Sequence, residues 1–273
     1  MSASASASPV AGTASRDLVR QVVVLVSSVI AIVGAFIGSG VFLGTPVQEA
    51  SGGYLAADAT LIAPGTGAFR IWSVIYAGML AYAVWQALPA QRHDERQRRI
   101  GWWVVESLVL NAVWIGVVQV GQLALSLLVI VALLAVLCRL FALLRDSAPK
   151  NRFEAVVADG SIGLYLGWVI IATAANTTAV LVAGGFEGFG LAPEAWAVVV
   201  LAAAAAVGVA LALWDRGRIA PTLSLSWGIC WVAVARLTDE PYSPVTAYAA
   251  IGAAALVIAA TAFARVRHER RVA

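Results

Sequence analysis

Asn111 is an amide inside an apolar run, residues 100–119, of this 273-residue chain. At 1.5 Å per residue it sits about 16 Å into that run, where a carboxamide needs a hydrogen-bond partner from protein, water or ligand. Ten tryptophans accompany it in the chain. An indole offers a flat apolar face and a single N–H donor. Together, amide and indole suit recognition of a planar amphipathic molecule by stacking and hydrogen bonding. The same groups also suit hydrogen bonding between helices with the indoles as packing. Two carboxylates form a second set of candidates: Glu106 and Asp159 both fall within apolar runs, where burying charge in hydrocarbon is costly and often marks an ion or proton path. Each lies near the end of its run, so pairing with Arg99 or Arg152 at the membrane interface is the structural alternative.

Several other chemistries lack their residues. The one lysine, Lys150, lies in a charged loop, so a Schiff base at membrane depth is excluded. His93 and His268 stand in charged segments, which argues against axial haem ligation, and no H-E-x-x-H is present. Cys138 and Cys230 both fall in apolar runs and read as small apolar side chains. No metal site is predicted and no cofactor is required. The basic residues are scattered over several loops instead of forming one face, so nucleic acid is not an expected partner.

These residues must be positioned by membrane helices. Hydrophobic residues make up 61% of the chain and charged residues 12%, with a mean hydropathy of +0.88; a soluble domain carries about 25% charge. About 20 apolar residues span a bilayer as a helix, and eight such runs occur: residues 18–43, 68–88, 100–119, 122–144, 155–183, 194–214, 219–237 and 244–266. The predicted fold is an all-α polytopic membrane helix bundle with the lipid bilayer as its first partner. If the eight helices alternate, 16 of the 18 Lys and Arg residues fall on one side, which predicts both termini in the cytoplasm. The opposite side holds Arg70 and Arg236, near helix ends where snorkelling would accommodate them. Seventeen Arg against one Lys, with abundant Ala, resembles a GC-rich bacterial coding bias, and predicts a bacterial cytoplasmic membrane protein. The first run is too long for a signal peptide and reads as a retained helix. Residues 1–17, with their Ser/Ala alternation, read as a disordered tail. Gly34/Gly38, Gly40/Gly44 and Gly163/Gly167 have the G-x-x-x-G spacing that lets helices approach closely, and small-residue faces make a homodimer plausible.

The second run begins Phe69-Arg70-Ile71-Trp72-Ser73-Val74-Ile75-Tyr76, the third contains Asn111-Ala112-Val113-Trp114, and the fifth reads from Tyr165 through Trp168, Ala172 and Thr173 to Asn176. The order F-x-x-W-x-x-x-Y, N-x-x-W and Y-L-x-W-x-x-x-A-T-x-x-N resembles the TspO/MBR family of tryptophan-rich sensory proteins and translocator proteins. The resemblance covers residues 18–183 as a five-helix domain and leaves residues 184–273 as a three-helix C-terminal membrane extension with a basic tail. It implies that Trp72, Asn111 and Trp168 line a ligand pocket, with Trp114, Ala172 and Asn176 nearby. Two departures stand out. The family's W-Y-x-x-L-x-K-P signature is missing from Gly44 to Gly67, and the aromatic pair that usually follows N-x-x-W is replaced by Val117 and Val118. The segment Gly44 to Gly67 is long, carries Pro46 and Pro64, and is the expected cover of a pocket open toward the outer side.

The resemblance implies an integral membrane binding or sensory protein whose ligands are tetrapyrroles such as porphyrin, or sterol-like lipids. Two other classes share the residues. A secondary transporter of a small amphipathic solute would use Glu106 and Asp159 along its path. A membrane enzyme degrading porphyrins would work through Trp72 and Trp168.

Overall fold

The computed structural model of the protein describes residues 9–38, 46–47 and 49–272. Eight helices long and apolar enough to cross a membrane follow one another: α1 (Pro9–Gly38), α2 (Ile71–Ala87), α3 (Glu95–Gln119), α4 (Leu123–Arg145), α5 (Arg152–Ala183), α6 (Pro193–Trp214), α7 (Ile219–Thr238) and α8 (Pro244–Val272). No strand occurs among the described residues. In a bilayer the backbone has no water to bond to, so each apolar run closes its own hydrogen bonds as helix. Polar caps mark where runs begin. The Asp94 side chain accepts from the Gln97 backbone N–H at 2.9 Å and starts α3 five residues before the apolar run. Asn151 does the same for Glu154 N–H at the start of α5.

The expected tail needs correcting at its distal part. Residues 9–17 are helical and continuous with α1. Proline is favoured in a first helical turn, where its fixed φ fits and its missing N–H would be unpaired anyway; residues 1–8 lie outside the described set. The Gly40/Gly44 pair also lies outside it, and a Cβ on Gly34 would meet nothing within 4 Å.

Helices α1, α3, α4, α5 and α2 pack in that order around a ring, each touching the next and α2 closing back on α1. The other three lie outside the ring: α7 packs on α5, and α8 packs on both α6 and α7. Contact between α5 and α7 depends on glycine. A Cβ on Gly167 would run into the Pro221 carbonyl oxygen and the Ser224 hydroxyl, and one on Gly163 would lie 2.9 Å from Ala220 Cβ. The Gly163/Gly167 spacing thus brings two backbones together as such pairs do. Cys138 and Cys230 are free and on the outside of their helices.

The turn from α6 to α7 holds a buried carboxylate. Asp215 is 2% exposed; its Oδ1 accepts from Gly217 N–H at 2.9 Å and Arg218 N–H at 3.0 Å, while its Oδ2 has no partner. Burial pushes this carboxyl up to about 6, against the lowering influence of the two backbone donors. The folded protein therefore binds the proton more tightly than the unfolded chain. The group's contribution is most favourable below about pH 4 and falls as pH rises through about 6, by ~2–3 kcal/mol. Asp215→Asn keeps the acceptor and removes the buried charge. It is expected to raise thermal stability in detergent at pH 8 and to change little at pH 4; an equal shift at both pH values would contradict this account.

Candidate functional site

All six residues singled out on helices two, three and five line one cleft inside the ring: Trp72 from α2, Asn111 and Trp114 from α3, and Trp168, Ala172 and Asn176 from α5. Their rings are packed at angles. Trp72 stacks on Tyr76 at 5.0 Å between centroids and meets Trp168 and Tyr165 edge-on at 6.1 and 5.8 Å. Phe69 abuts Trp168 edge-on at 5.8 Å. Helix α4 adds Ile130 and Leu133, which sequence reasoning did not single out because aliphatic residues in an aliphatic run carry no signal.

The two asparagines differ in what they have left to offer. Asn176 Oδ1 accepts from Trp114 Nε1 at 3.0 Å, and its Nδ2 donates to Ser126 Oγ at 3.1 Å, so its amide is held by protein on both sides. Asn111 Nδ2 donates to Tyr76 Oη at 3.0 Å, but among the described residues its Oδ1 has no partner, and neither does Trp168 Nε1. Asn111 is 1% and Trp168 2% exposed. Buried polar groups without partners are uncommon, and each calls for an explanation. The cleft thus holds one free acceptor and one free donor between aromatic walls. Among the described residues that line it, none is a carboxylate, histidine, cysteine, lysine or arginine.

The segment expected as a cover takes that place. Val47, Tyr54, Leu55, Thr60, Ala63 and Pro64 close the cleft at one end. About 50 Å³ remains open to water-sized molecules, whereas drug-sized ligands occupy pockets of roughly 300–1,000 Å³; a larger guest requires this segment or the rings to move.

The cover is tied down on two sides. Ser51 Oγ donates to Val118 O of α3 at 2.7 Å. Helix α7 supplies the rest: Arg236 donates to Ala57 O at 2.6 Å, Trp227 Nε1 donates to Ala68 O at 2.9 Å, and Gly65 N–H donates to Trp231 O at 3.1 Å. A Cβ on Gly67 would overlap the Trp231 ring, so this close approach needs glycine. Arg236 corrects the snorkelling expectation. It is fully buried and also donates to Pro241 O at 3.0 Å, because carbonyls at the loop ends give its guanidinium partners that the lipid cannot. Trp227 and Trp231 of α7 both pack on the segment that runs from the cover into α2.

The two carboxylates proposed for an ion path are not brought together. Glu106 is exposed on the outside of α3. Asp159 sits at the opposite end of the bundle from the cover, paired with Arg96 at 2.8 Å and Arg218 at 2.9 Å, not with Arg152 or Arg99. The helical turn that carries it, Ala155–Gly160, is a wide π-type turn, and such a turn rotates a side chain away from the position an even α-helix would give it. Arg96 is the centre of this cluster. It also donates to Glu154 Oε1 at 2.9 Å and to Ser147 O at 3.1 Å. Gln97 donates to Glu154 at 3.1 Å and accepts from Tyr82 at 2.9 Å, and Arg96 also donates to Leu144 O of α4 at 3.3 Å, so α2, α3, α4, α5 and the residue preceding α7 are fastened at one point. Nearby, outside the spans, Asp94 pairs with Lys150; burial opposes ionisation of Asp94, but the ammonium and the Gln97 N–H together hold its carboxyl below the usual range. No group of three or more His, Cys, Asp or Glu suited to a metal ion occurs among the described residues.

Comparison with known families gives a match to the model of the TSPO-like protein family over residues 21–263, a span that takes in residues of all eight helices. No curated protein and no solved structure matches the chain.

Proposed function

Because the chain belongs to the TSPO-like protein family, we propose that this integral membrane protein binds a planar amphipathic molecule, a tetrapyrrole or a sterol-like lipid, in the Trp72/Asn111/Trp168 cleft. One observation carries the reading: Asn111 Oδ1 and Trp168 Nε1 stand buried and unpartnered in the same aromatic cleft. A guest with both a donor and an acceptor on a flat apolar frame would satisfy the two together, and the angled rings of Trp72 and Trp168 would flank it. Helices α1–α5 form the binding unit in this reading, and α6–α8 brace its cover. The charge distribution supports both termini lying in the cytoplasm, because 16 of the 18 basic residues gather on that side of the alternating spans.

The test is titration of the purified full chain with protoporphyrin, followed by tryptophan fluorescence. Saturable quenching near one equivalent, relieved by an excess of a sterol that shares the site, is the expected result. Quenching that never saturates, or that persists unchanged in Trp72→Phe and Trp168→Phe, would remove the assignment.

A further inference from the structure

A second cavity lies outside the ring, where the end of α5 meets the start of α6. Its walls come from Leu181 and Val182 of α5, from Phe186, Trp196 and Val200, and from the cover residues Ala59 to Ile62; Pro241 and Tyr242 close the remaining side. At about 490 Å³ it is already within the size range of small-molecule sites without any movement. The aromatic wall is fixed in place. Phe186 meets Trp196 edge-on at 5.3 Å and Phe189 at 5.2 Å. Trp196 Nε1 donates to Gly188 O at 2.8 Å, so this indole has no donor left and presents only its apolar surface.

The polar side of the cavity has one sign. Among the described residues, Glu187 and Glu194 are the only charged ones that line it. Among the described residues neither makes an ion pair, and neither side chain makes a hydrogen bond. No cation faces them from the cover or from the α7–α8 loop, since the one buried arginine nearby, Arg236, is committed to the carbonyls of Ala57 and Pro241. The loops at this end carry Glu49, Asp58, Glu187, Glu194, Asp239 and Glu240, against Arg70 and Arg236. A phosphate-bearing headgroup would find no partner here, whereas a cation would find two.

We infer that this cavity is a binding site for a cationic amphiphile, with its ammonium or quaternary nitrogen between Glu187 and Glu194 and its apolar body along Leu181, Phe186 and Trp196. The site is separate from the central cleft and does not depend on what that cleft binds, although Thr60 belongs to the walls of both.

The probe is an alkyl-trimethylammonium carrying a diazirine on its chain, photolysed with the full-length protein in phosphatidylcholine nanodiscs, with labelled positions mapped by mass spectrometry. Labelling is expected within residues 178–200 and 59–62. Dodecyltrimethylammonium should compete for it and dodecyl sulfate should not. Glu187→Gln with Glu194→Gln should lower it at least tenfold while the melting temperature holds. Leu181→Trp supplies an independent arm: it fills the cavity from an exposed position and leaves both carboxylates in place, and labelling should again be lost. Equal competition by dodecanol, or undiminished labelling in the glutamine variant, would show that the cavity takes any alkyl chain and overturn the inference; so would labelling spread evenly over the lipid-facing helices. Protoporphyrin titration of the same variants reads the central cleft separately, so the two assignments fail independently.

Discussion

Asn111→Ala is expected to weaken protoporphyrin binding by about 10- to 100-fold and to leave the unliganded protein close to wild-type stability. The asymmetry follows from the amide's unequal commitments. One side, Nδ2, bonds Tyr76 Oη; the other, Oδ1, is buried with nothing to accept from. Alanine removes an acceptor that costs free energy while the cleft is empty and is satisfied when a donor arrives, and such a bond contributes ~1–3 kcal/mol when its loss strands a buried partner. Asn176→Ala should behave in the opposite way. Its amide already serves Trp114 and Ser126, so the variant is expected to lose stability and to lose affinity only as far as Trp114 moves. Trp168→Phe keeps the ring face and removes the free N–H, and is expected to cost about tenfold in affinity. Isothermal titration of the three variants, each checked by thermal melting, measures these differences. Similar affinity losses for Asn111→Ala and Asn176→Ala would mean that both amides are structural.

The largest effect on stability is expected at the other end of the bundle, from Arg96→Met. Arg96 is 5% exposed at its side chain and Glu154 fully buried. Methionine preserves the aliphatic stem but leaves Glu154 without its cation and Asp159 with Arg218 alone. Removing one partner of a buried ion pair destabilises by about 3–5 kcal/mol, because the remaining charge stays desolvated. The loss should show as a lower midpoint in detergent denaturation. Arg96→Met combined with Glu154→Gln should recover much of it, since the double change deletes the stranded charge; recovery would be absent if the arginine stem were the part that matters.

How far the sequence revealed this depends on the distance over which each residue acts. The eight spans were legible because a bilayer imposes a local rule, about 20 apolar residues with charge between them, and Asn111 stood out because an amide breaks that rule. The convergence of Trp72, Asn111 and Trp168 was not legible from spacing, since it joins three helices; only the order of motifs pointed to it. Asp159 pairs with Arg96 and Arg218 instead of Arg99 or Arg152 because the π-type turn that carries it changes its phase, and no residue in Ala155–Gly160 signals that turn. The role of Arg236 was hidden for a different reason. Its partners are backbone carbonyls, one of them 179 residues away in the chain, and a carbonyl leaves no mark on a sequence.

The fastening of the cover to α7 also decides the order of events when a guest enters. Arg236, Trp227 and Trp231 hold the cover shut, and the space behind it is far smaller than a tetrapyrrole. If the cleft binds as proposed and the cover is the part that moves, its bonds to α7 must break before the guest seats, and at high ligand concentration the rate levels off at the speed of that release. On that reading the helices outside the ring govern how fast the cleft fills, without touching what fills it.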